Sequence, residues 1–182
     1  MKRRLVVFIA CVVAALSLPA LASHEVVKDD DDVKGRLDIR RVVMEEDQPR
    51  VWNIMTYRGY KPEAIFDKGY LLVYFDVRQD PRFDYYLLLR ARFDEIKGNL
   101  WRDYREANDV IVGQSRVRKT NNRTVTATVP FKRMLIPKSR LEYRWQARTL
   151  SSGPKCRRVC IDKAPDNRAV TELLVPKPSP AP

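Results

Sequence analysis

Apolar and polar residues alternate with a period of two along most of this chain. Because successive side chains of a β-strand point to opposite faces, this alternation indicates half-buried strands. The segment 69–77 is the clearest example, since Leu71, Val73 and Phe75 fall on one side of it. The same pattern is present in 36–44, 50–57, 83–93, 95–102, 109–118, 123–131 and 140–150.

Eight short strands separated by turn-forming residues predict an all-β protein, a jelly-roll-like antiparallel β-sandwich that spans residues 35–174. Only 62–66 and 131–135 have the composition of short helical turns, so the chain lacks the crossover helices of a nucleotide-binding α/β fold. The apolar rows predicted to face the core are Leu37, Ile39 and Val43; Phe83, Tyr85, Leu87, Leu89, Ala91 and Phe93; Val125, Ala127, Val129 and Phe131; and Leu141, Tyr143, Trp145 and Ala147.

Residues 1–22 have the order of a secretory signal peptide. Basic residues at 2–4 precede an apolar run at 5–18, and Ala-Leu-Ala follows at 20–22. The run is shorter than the roughly 20 apolar residues of a membrane-spanning helix. We therefore expect an exported protein, secreted or held in the cell envelope, with no stable membrane span after cleavage. An uncleaved N-terminal anchor is the alternative.

The segments on either side of the predicted domain have the composition of unstructured chain. Residues 23–34 contain four consecutive aspartates at 29–32 and few apolar residues, so we expect a flexible acidic lead-in. Residues 175–182 contain four prolines, which predict an extended tail.

The chain is strongly basic, with a formal charge of +12 that falls to +9 if the three basic residues at 2–4 leave with the signal. Such a charge favours anionic partners, cell-envelope polymers among them. Because acidic and basic residues are interleaved nearly throughout, the alternative is a dispersed charge that only keeps the protein soluble. A short basic cluster at 116–123 is not a nucleic-acid-binding motif, and we expect no nucleic-acid partner.

Cleavage would also leave Cys156 and Cys160 as the only cysteines. Two nearby thiols in an exported protein meet oxidising conditions, so we expect a disulfide between them. A structural metal site would need two further soft ligands, which the chain does not offer.

The chain lacks the residues that most classes of enzyme need for catalysis. His24 is the only histidine and precedes the predicted domain, which removes Ser-His and Cys-His nucleophiles and most zinc hydrolases. The chain also has no glycine motif for binding phosphates. A small carboxylate-dependent hydrolase is the remaining enzymatic alternative, since a glycosidase needs only two Asp or Glu residues. The candidate acids fall mainly at turns, so we expect a protein that is not an enzyme and has no cofactor.

Three carboxylates, Asp76, Asp80 and Asp84, lie around the turn that follows segment 69–77. Ca²⁺ prefers several oxygen ligands, so this corner is a weak calcium candidate. The spacing matches no calcium-binding loop, and Arg78 and Arg82 would compete for the carboxylates. We therefore favour a structural ion-pair corner.

The face opposite the predicted core carries aromatic and basic side chains on two neighbouring strands. Tyr70 and Tyr74 share this face of one strand, and Tyr86 and Arg90 share it on the next. Aromatic rings stack on sugars and arginine donates hydrogen bonds to hydroxyls, so these four residues form a tentative ligand site. The alternative is that the tyrosines are half-buried packing.

Segments 69–77, 83–90, 124–135 and 141–150 together resemble a family of uncharacterised exported bacterial β-sandwich proteins. More remotely, their order is similar to DOMON-like sandwiches and family 9 carbohydrate-binding modules. The resemblance covers residues 35–165 and implies a jelly-roll-like sandwich that binds a sugar or a cofactor at one rim. Haem-binding members use Met and His ligands, and His24 lies outside the resemblance, so it implies a fold and no particular ligand.

These expectations favour a secreted, non-enzymatic module that binds an extracellular carbohydrate or a cell-envelope polymer. The first alternative is an envelope domain whose role is structural or whose partner is another protein. The second is the carboxylate-dependent hydrolase.

Overall fold

The computed structural model describes residues 24–45, 50–59, 69–92, 95–137, 139, 142–153, 155–156 and 158–173. The predicted signal peptide, the predicted helical turn at 62–66 and the tail at 175–182 lie outside the described residues, as do Phe93 and Leu141 of the predicted core rows. In the part of the chain that is described, no helix has the length and apolar character to cross a membrane.

The described residues form eleven antiparallel strands and one 3-10 turn at Phe131–Arg133, which confirms the predicted all-β class. The strands are β1 (His24–Lys28), β2 (Ile39–Glu45), β3 (Val51–Thr56), β4 (Gly69–Asp76), β5 (Tyr85–Arg92), β6 (Glu95–Arg102), β7 (Val110–Lys119), β8 (Thr124–Thr128), β9 (Glu142–Ser151), β10 (Cys160–Ala164) and β11 (Val170–Leu173). Each of the eight predicted segments overlaps one strand, β2 to β9. The three additional strands are short and rich in polar residues, so alternation alone did not identify them.

The strands form one hydrogen-bonded sheet, curled into a half-barrel, in the order β1-β2-β3-β8-β7-β6-β5-β4-β9-β10, with β11 also paired to β9. Strand β7 joins the two halves of this sheet, because residues 110–115 pair with β6 and residues 116–119 pair with β8. The curl brings β10 back towards β2, where the buried Asp162 carboxylate accepts a hydrogen bond from the Ile39 amide.

The concave side of the sheet holds the core. Trp52 of β3 is fully buried and contacts Phe75 of β4 and Trp145 of β9, with ring centroids 5.3 and 6.2 Å apart. Strands from the two halves therefore face each other across apolar side chains, whose burial drives folding. The predicted inward residues that the structure buries are Leu37, Ile39, Leu71, Val73, Phe75, Tyr85, Leu87, Leu89, Val125, Ala127, Val129, Tyr143, Trp145 and Ala147.

Among the described residues, Val43 and Phe83 do not take the core positions that the sequence predicts for them. The pairing of β2 with β3 shifts by one residue between Ile39 and Arg41, as at a β-bulge, and this shift changes which side chains face inwards. Val42 is consequently buried and Val43 only half-buried. Phe83 precedes β5 and contacts the ring of Tyr74 on the convex face instead of entering the core.

The lead-in at 23–34 was expected to be flexible, but part of it is strand β1, paired with β2 from Lys28↔Arg41 to His24↔Glu45. Strand β1 forms because Val27 packs into the core. At the other end of the described chain, the predicted Cys156–Cys160 disulfide is present, with Cα atoms 5.3 Å apart.

Candidate functional site

An aromatic row crosses the convex face of the sheet. Tyr74 of β4, Tyr86 of β5 and Trp101 of β6 are cross-strand neighbours, and Phe83 packs beside Tyr74. The ring centroids are 5.2 Å apart for Phe83 and Tyr74, 5.8 Å for Tyr74 and Tyr86, and 6.1 Å for Tyr86 and Trp101. All four side chains are half-buried, so the row is partly packing and partly accessible surface.

Of the four predicted ligand residues, Tyr74 and Tyr86 are cross-strand partners with their rings in contact. Tyr70 and Arg90 lie on the same two strands, β4 and β5, four residues further along. Tyr70 and Arg90 are both exposed. The hydroxyl of Tyr86 donates a hydrogen bond to Asp109 Oδ2 at 2.8 Å, which fixes the ring over Trp101.

Asp76 holds the end of β4 to β9. Its buried carboxylate forms an ion pair with Arg144 of β9, through Nε at 2.7 Å and also through Nη2. The other oxygen of Asp76 accepts hydrogen bonds from the amides of Arg78 and Gln79. Gln79 has a φ of 58°, and the hydrogen bond that its amide donates to Asp76 helps to hold this turn.

The neighbouring carboxylates serve the same loop. Asp84 Oδ2 accepts hydrogen bonds from the amides of Val77 and Arg78, and Asp80 Oδ1 accepts one from the amide of Arg82. No group of three or more His, Cys, Asp or Glu side chains among the described residues is placed to hold a metal ion. Asp76, Asp80 and Asp84 each accept a hydrogen bond from a backbone amide of this turn, which is a structural role.

Beside this corner lies a groove of about 510 Å³, which we call the β9 groove. Its walls are residues 80–83 on one side and residues 166–169 on the other, and its floor is formed by β9. Its volume is within the ~300–1,000 Å³ range of ligand sites in proteins. The basic residues that line it are Arg82, Arg144, Arg148, Lys163 and Arg168, and the acidic residues are Asp76, Asp80 and Asp166.

Arg148 connects the β9 groove to the aromatic row. Its guanidinium lies 4.5 Å from the ring centroid of Tyr74 and 5.2 Å from that of Phe83. Its Nε donates a hydrogen bond to Gln146 Oε1 at 2.8 Å, and Gln146 Nε2 donates one to the carbonyl of Pro165. These contacts orient the guanidinium on a preformed aromatic surface, as in cation–π pairs.

None of the five basic residues of this groove was predicted as a ligand residue. Arg148 alternates with the buried Trp145 and Ala147 along β9, so the sequence did contain a signal for its outward direction. Lys163 and Arg168 had no such signal, because they reach the groove only through the return of β10 and the loop that follows it. In the described structure, neither side chain has a hydrogen bond or an ion pair.

A second charged cluster ties the N-terminal segment to the core through Arg58, in the loop after β3. Its guanidinium pairs with the fully buried Asp38 at 2.5 Å and with Asp31 at 2.7 Å. It also donates hydrogen bonds to the carbonyls of Val33 and Gly35, both at 3.2 Å. Burial raises the pKa of Asp38 to about 7, with a further contribution from Asp31 and with Arg58 acting in the opposite direction.

We expect the fold to be more stable at pH 5 than at pH 8. Burial, with the charges of Asp162, Asp166 and Asp32, raises the pKa of Asp29 from 3.8 to about 7. The folded state therefore holds a proton that the unfolded chain has released, and the free energy of unfolding falls as the pH rises through this window. Because Asp29 is partly exposed, the loss from it is about 1 kcal/mol, or a decrease of roughly 2–4 °C in Tm.

Thermal unfolding followed by circular dichroism at the two pH values measures this effect. Asp29→Asn removes one titrating carboxyl and should reduce the dependence on pH. Asp30→Asn, at the exposed neighbouring position, should leave it unchanged. An identical pH dependence in the two variants would contradict the role given to Asp29.

Comparisons with protein-family models, with curated proteins and with solved structures found no match to this chain. A function for it has to follow from the chemistry of its own groups.

Proposed function

We propose that this protein is an exported, non-enzymatic module that binds an acidic polysaccharide of the extracellular space or the cell envelope. The observation that carries the proposal is the β9 groove, in which five basic side chains and three carboxylates lie beside the half-buried ring of Phe83. The predicted signal peptide supports the location. The facing of Trp52 against Phe75 and Trp145 supports a two-layered, sandwich-like scaffold behind the groove.

The charge of the groove favours an anionic ligand over a neutral one. Asp76 is already paired with Arg144, so the two neutralise each other. Arg82, Lys163 and Arg168 are exposed, and Arg148 donates its Nε to a neutral amide. Guanidinium groups bind carboxylates through two parallel hydrogen bonds, which is the geometry that a uronate group offers.

The aromatic rings favour a sugar as the carrier of the negative charge. Phe83 lines the groove, and the rings of Phe83 and Tyr74 both contact the guanidinium of Arg148. Both rings are half-buried, so part of each is accessible. A pyranose ring presents apolar C–H groups that pack on aromatic faces, while its carboxylate reaches the arginines. This pairing of aromatic and basic groups keeps the tyrosine site predicted from the sequence and moves its centre from Tyr70 and Arg90 towards Arg148.

Binding to polygalacturonate tests the proposal, with neutral dextran of matched length as the comparison ligand. We expect binding to polygalacturonate only, and we expect Lys163→Gln/Arg168→Gln to weaken it about tenfold. Each lost cation should cost about 0.5–1 kcal/mol at an exposed site. Because neither side chain has a hydrogen bond or an ion pair in the described structure, the Tm of the variant should stay near that of the wild type.

The matched control is Arg116→Gln/Arg118→Gln, which removes the same charge from exposed positions of β7 that do not line the groove. It should change the affinity by less than twofold. Equal losses in the two double variants would indicate attraction to the overall charge and would contradict a site in the β9 groove. If the protein bound dextran as tightly as polygalacturonate, the proposal that its ligand is acidic would be wrong.

A further inference from the structure

A second groove lies on the other side of residues 80–83, which form a ridge between the two grooves. This β6 groove has a volume of about 590 Å³. Its basic residues are Arg78, Arg82, Arg102 and Arg105, and its acidic residues are Asp80, Asp84 and Asp103. Both grooves share Asp80, Pro81, Arg82 and Phe83 as lining residues, so only the ridge separates them.

We infer that one ligand chain lies across this ridge and occupies the β9 groove and the β6 groove together, so that the protein selects a polymer over its short fragments. The inference rests on the proposed function, because it takes the same acidic polysaccharide as the ligand. Arg82 is the basic residue among the four that the two grooves share, and it is exposed on the ridge, where it meets the middle of the chain.

Hydrogen bonds from β9, within the loop and to β4 hold the ridge in place. From β9, Arg144 Nη2 donates a hydrogen bond to the carbonyl of Asp80. From within the loop, the amide of Arg82 donates to Asp80 Oδ1 at 2.8 Å, and the amide of Asp84 donates to the carbonyl of Phe75 at 2.8 Å. The two grooves therefore keep a constant separation, and a chain that fits both binds without first ordering the loop.

The β6 groove repeats the chemistry of the β9 groove. The guanidinium of Arg102 lies 4.7 Å from the ring centroid of Tyr104, which is 38% exposed. Arg105 is exposed beside it. Each groove thus has an arginine on an aromatic ring and a further exposed arginine, the arrangement suited to a sugar that carries a carboxylate. Arg78 is already paired with Asp84 at 3.3 Å, so Arg82, Arg102 and Arg105 are the residues left for a ligand.

A ligand that spans both grooves loses its translational and rotational entropy only once, when it binds the first groove. Its contacts in the second groove therefore add to the affinity, which rises with chain length. A digalacturonate fills one groove at most. The β9 groove has the larger excess of basic over acidic side chains, and it should take this short ligand first. A decagalacturonate has the length to cross the ridge and should bind at least tenfold more tightly.

Calorimetric titration of the full chain with these two oligomers tests the inference. We expect Arg102→Gln/Arg105→Gln to weaken binding of the decamer at least fivefold and to change binding of the dimer by less than twofold. Lys163→Gln/Arg168→Gln should weaken binding of both. The control Arg116→Gln/Arg118→Gln should change neither by more than twofold.

The outcomes separate this inference from the proposed function. If the decamer binds the Arg102/Arg105 double variant as tightly as the wild type, the chain does not cross the ridge, and the inference is wrong while the β9 groove stands. If that variant loses affinity for the dimer as much as for the decamer, the effect is general electrostatics, and the inference is again wrong. If the wild type binds neither the oligomers nor polygalacturonate, the proposed function fails and the inference fails with it.

Discussion

Replacing Gly98 with valine is expected to destabilise the fold by about 3 kcal/mol. A Cβ at this position of β6 would lie 2.6 Å from Val117 Cγ2 and 2.9 Å from both Leu89 Cδ2 and Ser115 Cβ. These atoms belong to neighbouring strands, and Leu89 is fully buried, so room can be made only by displacing packed side chains. The clash should outweigh the roughly 0.5–1 kcal/mol that a strand gains when a glycine is replaced.

Urea unfolding of Gly98→Val and Gly153→Val measures the difference. At Gly153, an added Cβ would have no other atom within 4 Å, so the change should be below about 0.5 kcal/mol. Equal stability of the two variants would contradict the tight packing of β5, β6 and β7 around Gly98.

Replacing Asp76 with alanine should cost about 3 kcal/mol and should loosen the ridge. The substitution removes the carboxylate partner of Arg144 and the oxygen that accepts hydrogen bonds from the amides of Arg78 and Gln79. The Arg78 amide keeps Asp84 Oδ2 as its other acceptor. Breaking a buried ion pair on one side costs more than the pair contributes, because the remaining charge keeps its desolvation penalty. Arg144 is 37% exposed and can be partly rehydrated, which keeps the cost at the lower end of the range for buried pairs.

Asp80→Ala is the matched control, since it removes a carboxylate from the same loop at an exposed position and loses one hydrogen bond, from the Arg82 amide. Its cost should be about 0.5–1 kcal/mol. Chemical denaturation and proteolysis of the folded state report on stability and on the ridge. If Asp80→Ala lowered the free energy of unfolding as much as Asp76→Ala, the ion pair between Asp76 and Arg144 would not be the main contact that stabilises this loop.

The sequence predicted the strands well where one face of each is buried. Leu71, Val73 and Phe75 of β4 and Tyr143, Trp145 and Ala147 of β9 alternate cleanly, and all six are buried. Strand β1 was missed because its neighbouring aspartates resemble disordered chain, although Val27 packs into the core. The inward direction of Val42 was missed because the register shift near Arg41 depends on pairing with β3, which no local pattern contains.

The candidate site could be predicted only in part, for the same reason. Tyr74 and Tyr86 were grouped correctly because their strands are adjacent in the sequence and pair directly. The grooves depend on which distant segments flank the 80–83 ridge. Arg168 reaches one side of it after β10, and Arg102 reaches the other at the end of β6. Such placement is a property of the tertiary fold and has no counterpart in residue spacing.

The order of the strands also governs how this chain can assemble. Strand β4 lies between β5, which follows it directly, and β9, which comes much later in the chain. Closing so long a loop has an entropic cost, and contacts of high sequence separation slow folding. Before β9 pairs with it, β4 has one edge without a hydrogen-bonding partner. Most side chains of β4 are apolar. An unpaired apolar edge recruits strands of other chains, so the interval before β9 docks is when this protein is most exposed to aggregation.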